Sequence, residues 1–135
     1  MREGHNQYTR SFGNPLLVNK IAELYGPKLG RKIDPMSEVT VGIGAYYVIF
    51  DLMMALIKPE DKDEVVVFEP SYPCYYEHIQ YAGGIVKSAL LEYIDGDWKF
   101  NPESFRNALS ERTKVFILNN AHNPTGKIFK RDEME

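Results

Sequence analysis

The sequence has 135 residues, 44% of them hydrophobic and 13% aromatic, which is typical of one globular α/β domain or of part of one. The 16 basic and 19 acidic residues are interspersed and give a net charge of -3, so no basic surface is expected that would attract nucleic acid. Cys74 is the only cysteine, which excludes an intrachain disulfide and a multi-cysteine metal site.

The sequence shows no targeting or membrane segment. The polar start MREGHNQYTR lacks the apolar core of a signal peptide, and no apolar run reaches the roughly 18 residues of a membrane span. We therefore expect a soluble cytoplasmic protein, with the mitochondrion as the alternative if a longer parent carries a targeting segment.

The first half of the chain predicts two helices and a strand. Apolar residues at helical spacing indicate a helix within residues 14–30. Residues 38–45, EVTVGIGA, alternate apolar and smaller side chains and are predicted to form a buried strand. Residues 46–57 contain Asp51 as their only charge, which indicates a helix that is buried over most of its surface.

The second half predicts three further strands, each preceded by a helix. The apolar runs at residues 64–70, 85–93 and 114–120 indicate the strands. The aromatic-rich segment at 72–84 ends in two glycines and predicts one helix. The segment at 101–113 begins with an asparagine cap, a proline and a glutamate, and predicts another.

This alternation predicts an α/β fold with a mainly parallel sheet flanked by helices. In such sheets, ligands gather at the carboxyl ends of the strands. Three unusual stretches fall at predicted strand ends, namely GIGAY at 42–46, EPSYPCY at 69–75 and NNAHNPTG at 119–126. We expect a binding site to be built from these stretches.

The glycines of the first stretch allow three interpretations. Gly42 and Gly44 begin a Gly-x-Gly-x-x-Gly pattern, but Tyr47 stands where its third small residue should be, so the dinucleotide fingerprint is incomplete. A simpler interpretation is a phosphate cup, in which the main-chain N–H groups of Gly44, Ala45 and Tyr46 open a helix and bind an anion. The third is a strand end at which two backbones approach closely.

The second stretch offers one aromatic ring for a ligand. Tyr72 lies in the predicted strand-to-helix turn, framed by Pro70 and Pro73, where it can cover a planar group. We expect the tyrosines that follow it to be packing residues.

The third stretch is rich in neutral amides. Asn119 and Asn123 can orient a ring that carries oxygen or nitrogen, but neither can serve as acid or base. A plain tight turn would look similar, because Asn-Pro favours turn initiation. His122 is expected to be a hydrogen-bonded structural residue, and His5 and His78 lack the neighbours of a metal set, so no metal is expected.

Four segments, in this order and at similar separations, resemble the fold-type I pyridoxal-phosphate aminotransferases of classes I and II. They are NQYTRSFGNPLLVNKIA, VGIGAYYVIF, DEVVVFEPSYPCYYEHIQYAGG and ILNNAHNPTGKIF. The likeness is greatest to the kynurenine and glutamine transaminase branch. It implies amino-group transfer from an amino acid to a 2-oxo acid, with β-lyase chemistry as a side activity. It also implies an N-terminal arm and helix at 1–34 and an incomplete, truncated cofactor-binding large domain at 35–135.

The resemblance also assigns cofactor contacts. By position, Gly44, Ala45 and Tyr46 would form the cup for the phosphate of pyridoxal 5′-phosphate, in agreement with the helix-terminus interpretation. Tyr72 would stack on the pyridine ring.

Three further residues receive roles in the same way. Asn123 would contact the pyridine 3-oxygen and the substrate carboxylate, and Asn119 would line the cofactor near the substrate. Tyr8 would reach the phosphate of a neighbouring subunit, so the resemblance implies a homodimer.

The chain also departs from the family pattern. Asn120 and Ala121 stand where relatives often carry a proline. The family's Schiff-base lysine follows the Asn-Pro-x-Gly segment at a greater distance than Lys127 or Lys130, so neither is assigned that role and no catalytic residue is expected in this chain. We therefore expect the 135 residues alone to be inactive.

Two other interpretations remain. One is a non-catalytic truncated product that binds pyridoxal phosphate weakly or dimerises with a full-length copy. The other, a dinucleotide-binding module, is disfavoured by Tyr47.

Overall fold

The computed structural model describes residues 8–135, which form two compact units, one up to Val48 and one from Ile49 to Glu135. His5 lies outside the described residues. The α-helices of the described chain are α1 (Pro15–Tyr25), α2 (Gly44–Leu56), α3 (Cys74–Tyr81), α4 (Pro102–Ala108) and α5 (Arg131–Met134). Its strands are β1 (Glu64–Glu69), β2 (Ile85–Ile94), β3 (Asp97–Phe100) and β4 (Thr113–Ile117).

Helix α1 of the first unit confirms the first predicted helix. The side chain of Asn14 accepts a hydrogen bond from the Leu16 N–H at 2.9 Å and so caps the helix, and Pro15 occupies the first helical position. The helix ends at Tyr25, and Gly26 follows as its C-cap residue directly before Pro27. Local signals therefore account for both ends.

The prediction of a buried strand at residues 38–45 is wrong. Residues 38–43 are irregular, α2 begins at Gly44, and Ile43 is 86% exposed. A hydrogen bond of 2.9 Å joins the Val41 N–H to the Phe12 carbonyl, but no strand of the described chain runs beside this segment. Alternating side chains define the faces of a strand, yet a strand also needs a neighbour to complete its hydrogen bonds.

Helix α2 is confirmed as a helix, but it is not buried over most of its surface as predicted. Met53 is 4% exposed and packs with Ile57 in the core of the second unit, whereas Leu52 and Met54 are 49% and 50% exposed. An all-apolar helix is buried all round only where partners cover every face. In the described chain, one face of α2 is buried, and the rest of the helix is exposed or partly exposed.

The sheet of the second unit is mainly parallel, as predicted. Its strand order is β3-β2-β1-β4, with β1 parallel to both β2 and β4. Strand β3 was not predicted, and it pairs antiparallel with the end of β2. The turn between them has positive φ at Asp95 (51°) and Gly96 (80°), and Asp-Gly is a favoured pair for such hairpin turns.

Strand β1 is the centre of the core. Val65, Val66 and Val67 are all completely buried, and successive side chains point to opposite faces of the sheet. One face buries the cluster Met53, Ile57, Val65, Val67, Tyr75, Ile79 and Ala82. The other buries Val66, Phe68, Ala89, Leu91, Ala108 and Phe129.

Helices α3 and α4 confirm the two helices predicted for the second half. The Asn101 side chain accepts from the Ser104 N–H at 2.8 Å and caps α4, with Pro102 at the first helical position. None of the helices found in residues 8–135 is both long enough and apolar enough to cross a bilayer.

Candidate functional site

Two of the three unusual stretches follow adjacent parallel strands of the second unit. EPSYPCY begins at Glu69, the last residue of β1, and NNAHNPTG follows β4. The two strands are in register at Val67 and Ile117. GIGAY, by contrast, follows no strand of the described chain.

The loop after β4 is closed by its own main chain. The His122 N–H donates to the Lys127 carbonyl at 2.8 Å, and the Gly126 N–H donates to the His122 carbonyl at 2.7 Å. The Asn123 N–H donates to Oδ1 of Asn119 at 2.9 Å. The main chain of Asn123 is therefore fixed, while its side chain is exposed.

Asn120 attaches the far side of this loop to the core. Its Oδ1 accepts from the Phe129 N–H at 3.1 Å, and its Nδ2 donates to the Phe129 carbonyl at 3.3 Å. Phe129 is 4% exposed and belongs to the aromatic cluster on the second face of the sheet. In the sequence, Asn120 is visible only as a departure from the family pattern. Its two hydrogen bonds join it to a residue nine positions away, and no local sequence signal indicates such a contact.

His122 has the structural role that was predicted. It is buried, its Nδ1 lies 2.9 Å from Oγ1 of Thr125, and its ring stands edge-on to Phe129. Burial lowers the pKa of the imidazole below its ordinary value, and the nearby main chain of Phe68 only partly offsets this. The ring is therefore mainly neutral at pH 7, and its hydrogen bond to Thr125 joins two positions of the loop.

Tyr72 lies in the turn after β1, as predicted. Its ring is partly buried and stands edge-on to Tyr75, with ring centroids 5.6 Å apart. The turn is fixed by Glu69, whose carboxylate accepts from the Ser71 N–H at 3.0 Å and from the Tyr76 hydroxyl.

Sequence analysis missed Glu69. The signal that could have found it is an acidic side chain at a strand end, two residues before a serine in a proline-framed turn.

In the first unit, the predicted phosphate cup lies at the start of α2. Gly44, Ala45 and Tyr46 are all exposed there. The Gly44 N–H donates to the Gly42 carbonyl at 2.9 Å, so an anion at this helix end would meet the amides that follow it. The first N–H groups of a helix have no acceptor within the helix itself, which leaves this end suited to an anion.

Tyr8 is fully exposed, and its contact with a neighbouring subunit stays a prediction.

Lys127 is not placed as a reactive amine. Its side chain is buried, and Nζ contacts both carboxylate oxygens of Glu133, at 2.8 and 3.1 Å. Within residues 8–135, no three His, Cys, Asp or Glu side chains are grouped closely enough to hold a metal ion.

The second unit is an α/β sheet with polar loops at the carboxyl ends of β1 and β4, which is where α/β proteins bind their ligands. The chain belongs to the class I and class II aminotransferase family, whose model matches residues 1–135. Pyridoxal 5′-phosphate is the cofactor of this family.

The similar proteins are aminotransferases. The chain is 38% identical over 138 residues to kynurenine–oxoglutarate transaminase 3 of Mus musculus, covering 96% of this chain and 30% of that protein. Kynurenine–oxoglutarate transaminase of Dictyostelium discoideum is 35% identical over 145 residues, with 98% of this chain and 33% of that protein covered.

Solved structures agree on the fold. N-succinyldiaminopimelate aminotransferase from Mycobacterium tuberculosis superposes with a TM-score of 0.86 at 30% identity, covering 97% of this chain and 34% of that one. The chain thus spans about a third of the length of the proteins that it matches.

Proposed function

We propose that this chain is the N-terminal part of a pyridoxal-phosphate-dependent aminotransferase of the kynurenine and glutamine type. The observation that carries the proposal is the loop after β4, in which the main chain of Asn123 is fixed and its side chain is exposed at the carboxyl end of a parallel strand. The reaction of the whole protein would move an amino group from an amino acid to a 2-oxo acid.

The residues of the second unit fit the cofactor ring. A neutral amide at Asn123 can donate to the 3-oxygen of the pyridine and to a substrate carboxylate. The partly buried ring of Tyr72 offers an aromatic face for stacking, in a turn that Glu69 fixes. Asn119 lies four residues before Asn123 and would line the cofactor on the substrate side.

The first unit supplies residues that fit a phosphate. Gly44, Ala45 and Tyr46 open a helix of 13 residues, and its N-terminal amides and dipole favour an anion. Tyr8 would contribute to the phosphate site of a second copy, which makes the proposed enzyme a homodimer. The proposed compartment is the cytoplasm, with the mitochondrion as the alternative.

In the proposed reaction, the cofactor and the residues of this chain have different roles. When bound, pyridoxal phosphate supplies the electron sink for amino-group transfer. This chain's own residues bind and orient the ring, the phosphate and the substrate carboxylate. The side chain of Lys127 is paired with Glu133, so this lysine is not placed to form a covalent bond with the cofactor. The chain alone is expected to orient ligands without catalysing transfer.

A second candidate function is a non-catalytic product that binds the cofactor weakly or pairs with a full-length copy. The observation that favours it is the exposure of apolar side chains on α2, where Leu52 and Met54 are half exposed.

The proposed function is tested by spectroscopy of the 135-residue chain with added pyridoxal phosphate, before and after borohydride, together with intact mass. We expect weak, non-covalent binding that Asn123→Ala weakens and that Asn107→Ala, a matched asparagine on α4, leaves unchanged. A stoichiometric reduced adduct on one lysine would show that the assignment of a purely orienting role is wrong.

A further inference from the structure

The hydrogen bond between Asn119 and Asn123 gives Asn119 a role that differs from a direct ligand contact. Oδ1 of Asn119 accepts from the main-chain N–H of Asn123 at 2.9 Å, across four residues. Asn119 is partly buried, whereas Asn123 is exposed. The acceptor end of the Asn119 amide therefore faces the loop that it closes.

This bond acts on the amino side of the loop formed by residues 119–126, and other hydrogen bonds act on its carboxyl side. The main-chain bonds from His122 to Lys127 and from Gly126 to His122 close the turn on its carboxyl side. On the amino side, the bond from Asn119 is the side-chain contact that holds the Asn123 amide. Without this bond, the main-chain N–H of Asn123 would lose its acceptor, and the side chain proposed to contact the ligand would be held less firmly.

Where the loop leaves the core, at Asn120 and Phe129, it is held by contacts that do not involve Asn119. Asn120 uses both ends of its amide on the Phe129 main chain, and Phe129 is anchored in the aromatic cluster. A change at Asn119 is therefore expected to loosen the tip while the base remains attached. This separation makes a local effect measurable in a folded chain.

We propose that Asn119 is a positioning residue that acts on the ligand through the main chain of Asn123. The inference rests on the proposed function, since the ligand that Asn123 meets is the pyridoxal-phosphate ring. In this role, Oδ1 of Asn119 acts as the hydrogen-bond acceptor for the Asn123 N–H. Its Nδ2 group is not needed for this role.

The two atoms of the amide can be separated by substitution. Asn119→Asp keeps an oxygen acceptor at the same place and removes the N–H donors. Asn119→Ala removes both. A direct ligand contact through Nδ2 is lost in both variants, whereas a positioning role through Oδ1 is lost only in N119A.

The experiment measures two quantities on the 135-residue chain and its variants. Amide hydrogen exchange by NMR reports the protection of the Asn123 N–H without ligand, and a fluorescence titration reports the affinity for pyridoxal phosphate. The titration is run at 0.15 M and 0.5 M salt, so that the added charge of the N119D variant is screened. Asn107→Ala is the matched control, and circular dichroism checks folding.

We expect N119A to lose the protection of the Asn123 amide and to weaken binding by about 3- to 10-fold, the range of one hydrogen bond. N119D should restore both, and Asn107→Ala should change neither. If N119A does not fold, Asn119→Ser, whose shorter side chain cannot reach the amide, takes its place.

Two outcomes would overturn the inference. Unchanged protection of the Asn123 amide in N119A would show that Asn119 does not hold it. Restored protection with unrestored affinity in N119D would show that Asn119 touches the ligand itself. If the unmodified chain binds no pyridoxal phosphate, the proposed cofactor binding by this chain fails, and the exchange data alone then decide whether Asn119 positions Asn123.

Discussion

The Nζ atom of Lys127 lies 2.8 Å from Oε1 and 3.1 Å from Oε2 of Glu133, inside the protein and 5.0 Å from the centre of the Phe129 ring. Burial raises the pKa of the Glu133 carboxyl, but the hydrogen bonds from Lys127 and from the Lys130 main chain outweigh it and hold the pKa below its ordinary value. The pair joins the end of the β4 loop to α5.

Breaking this pair should destabilise the second unit. Lys127→Met keeps the length of the side chain but leaves the Glu133 carboxylate without its cation, at an expected cost of about 1–3 kcal/mol in the free energy of unfolding. Urea unfolding measures it. Lys114→Met, at an exposed lysine of β4, is the control, and an equal loss in both variants would contradict the prediction.

Acid should destabilise the protein through His122. Burial lowers the pKa of this imidazole in the folded state below its ordinary 6.5, so the unfolded chain takes up the proton first as the pH falls. Stability is therefore complete above about pH 6.5 and decreases from there towards the folded pKa, by at most about 1.4 kcal/mol per pH unit.

Urea midpoints at pH 7.5, 6.5 and 5.5 test this, on an unmodified chain and on His122→Gln. The glutamine variant should show a shallower decrease below pH 6.5, because it cannot take up a proton. Parallel curves for the two proteins would show that another group causes the acid sensitivity.

The aromatic ring of Tyr72, and not its hydroxyl, should matter for the cofactor. Tyr72→Phe is expected to keep the affinity for pyridoxal phosphate, while Tyr72→Leu should weaken it by about 2- to 10-fold, which is the worth of one aromatic contact. Fluorescence titration gives the affinities. Tyr81→Leu changes an exposed tyrosine of α3 in the same way and should have no effect.

Gly83, just after α3, should be the costlier of two glycines to replace. Both Gly83 and Gly96 have φ near +80°, so alanine at either costs about 1–2 kcal/mol in backbone strain. At Gly83 an added Cβ would also lie 2.6 Å from Cγ of Pro59, whereas at Gly96 it would meet nothing within 4 Å.

Thermal and urea unfolding of Gly83→Ala and Gly96→Ala therefore separate packing from strain. Gly83→Ala should be destabilised by about 1–3 kcal/mol more than Gly96→Ala. Equal losses would mean that Pro59 moves aside without cost.

Elements with signals in their own sequence were predictable, and elements that depend on a distant partner were not. Asn14-Pro15 and Asn101-Pro102 mark helix starts by local hydrogen bonding, and the structure confirms both helices. Residues 38–43 have the alternation of a strand but lack a neighbour in the described chain. The hairpin at Asp95-Gly96 had a local signal that sequence analysis overlooked.

The site follows the same rule. The positions of Tyr72, Asn119 and Asn123 at strand ends were predictable, because the apolar runs before them are clear. The bond between Asn120 and Phe129 was not, since it depends on how the loop folds back onto the core.

The central place of β1 sets an order for how the second unit can form on the ribosome. Its three consecutive valines gain one neighbour from β2, which is made soon afterwards, and the other only from β4, after the hairpin and α4 have emerged. Until Thr113–Ile117 leaves the exit tunnel, one edge of β1 has unpaired main-chain groups and can attract other strands. Slow translation between β2 and β4 should therefore expose the growing chain to aggregation.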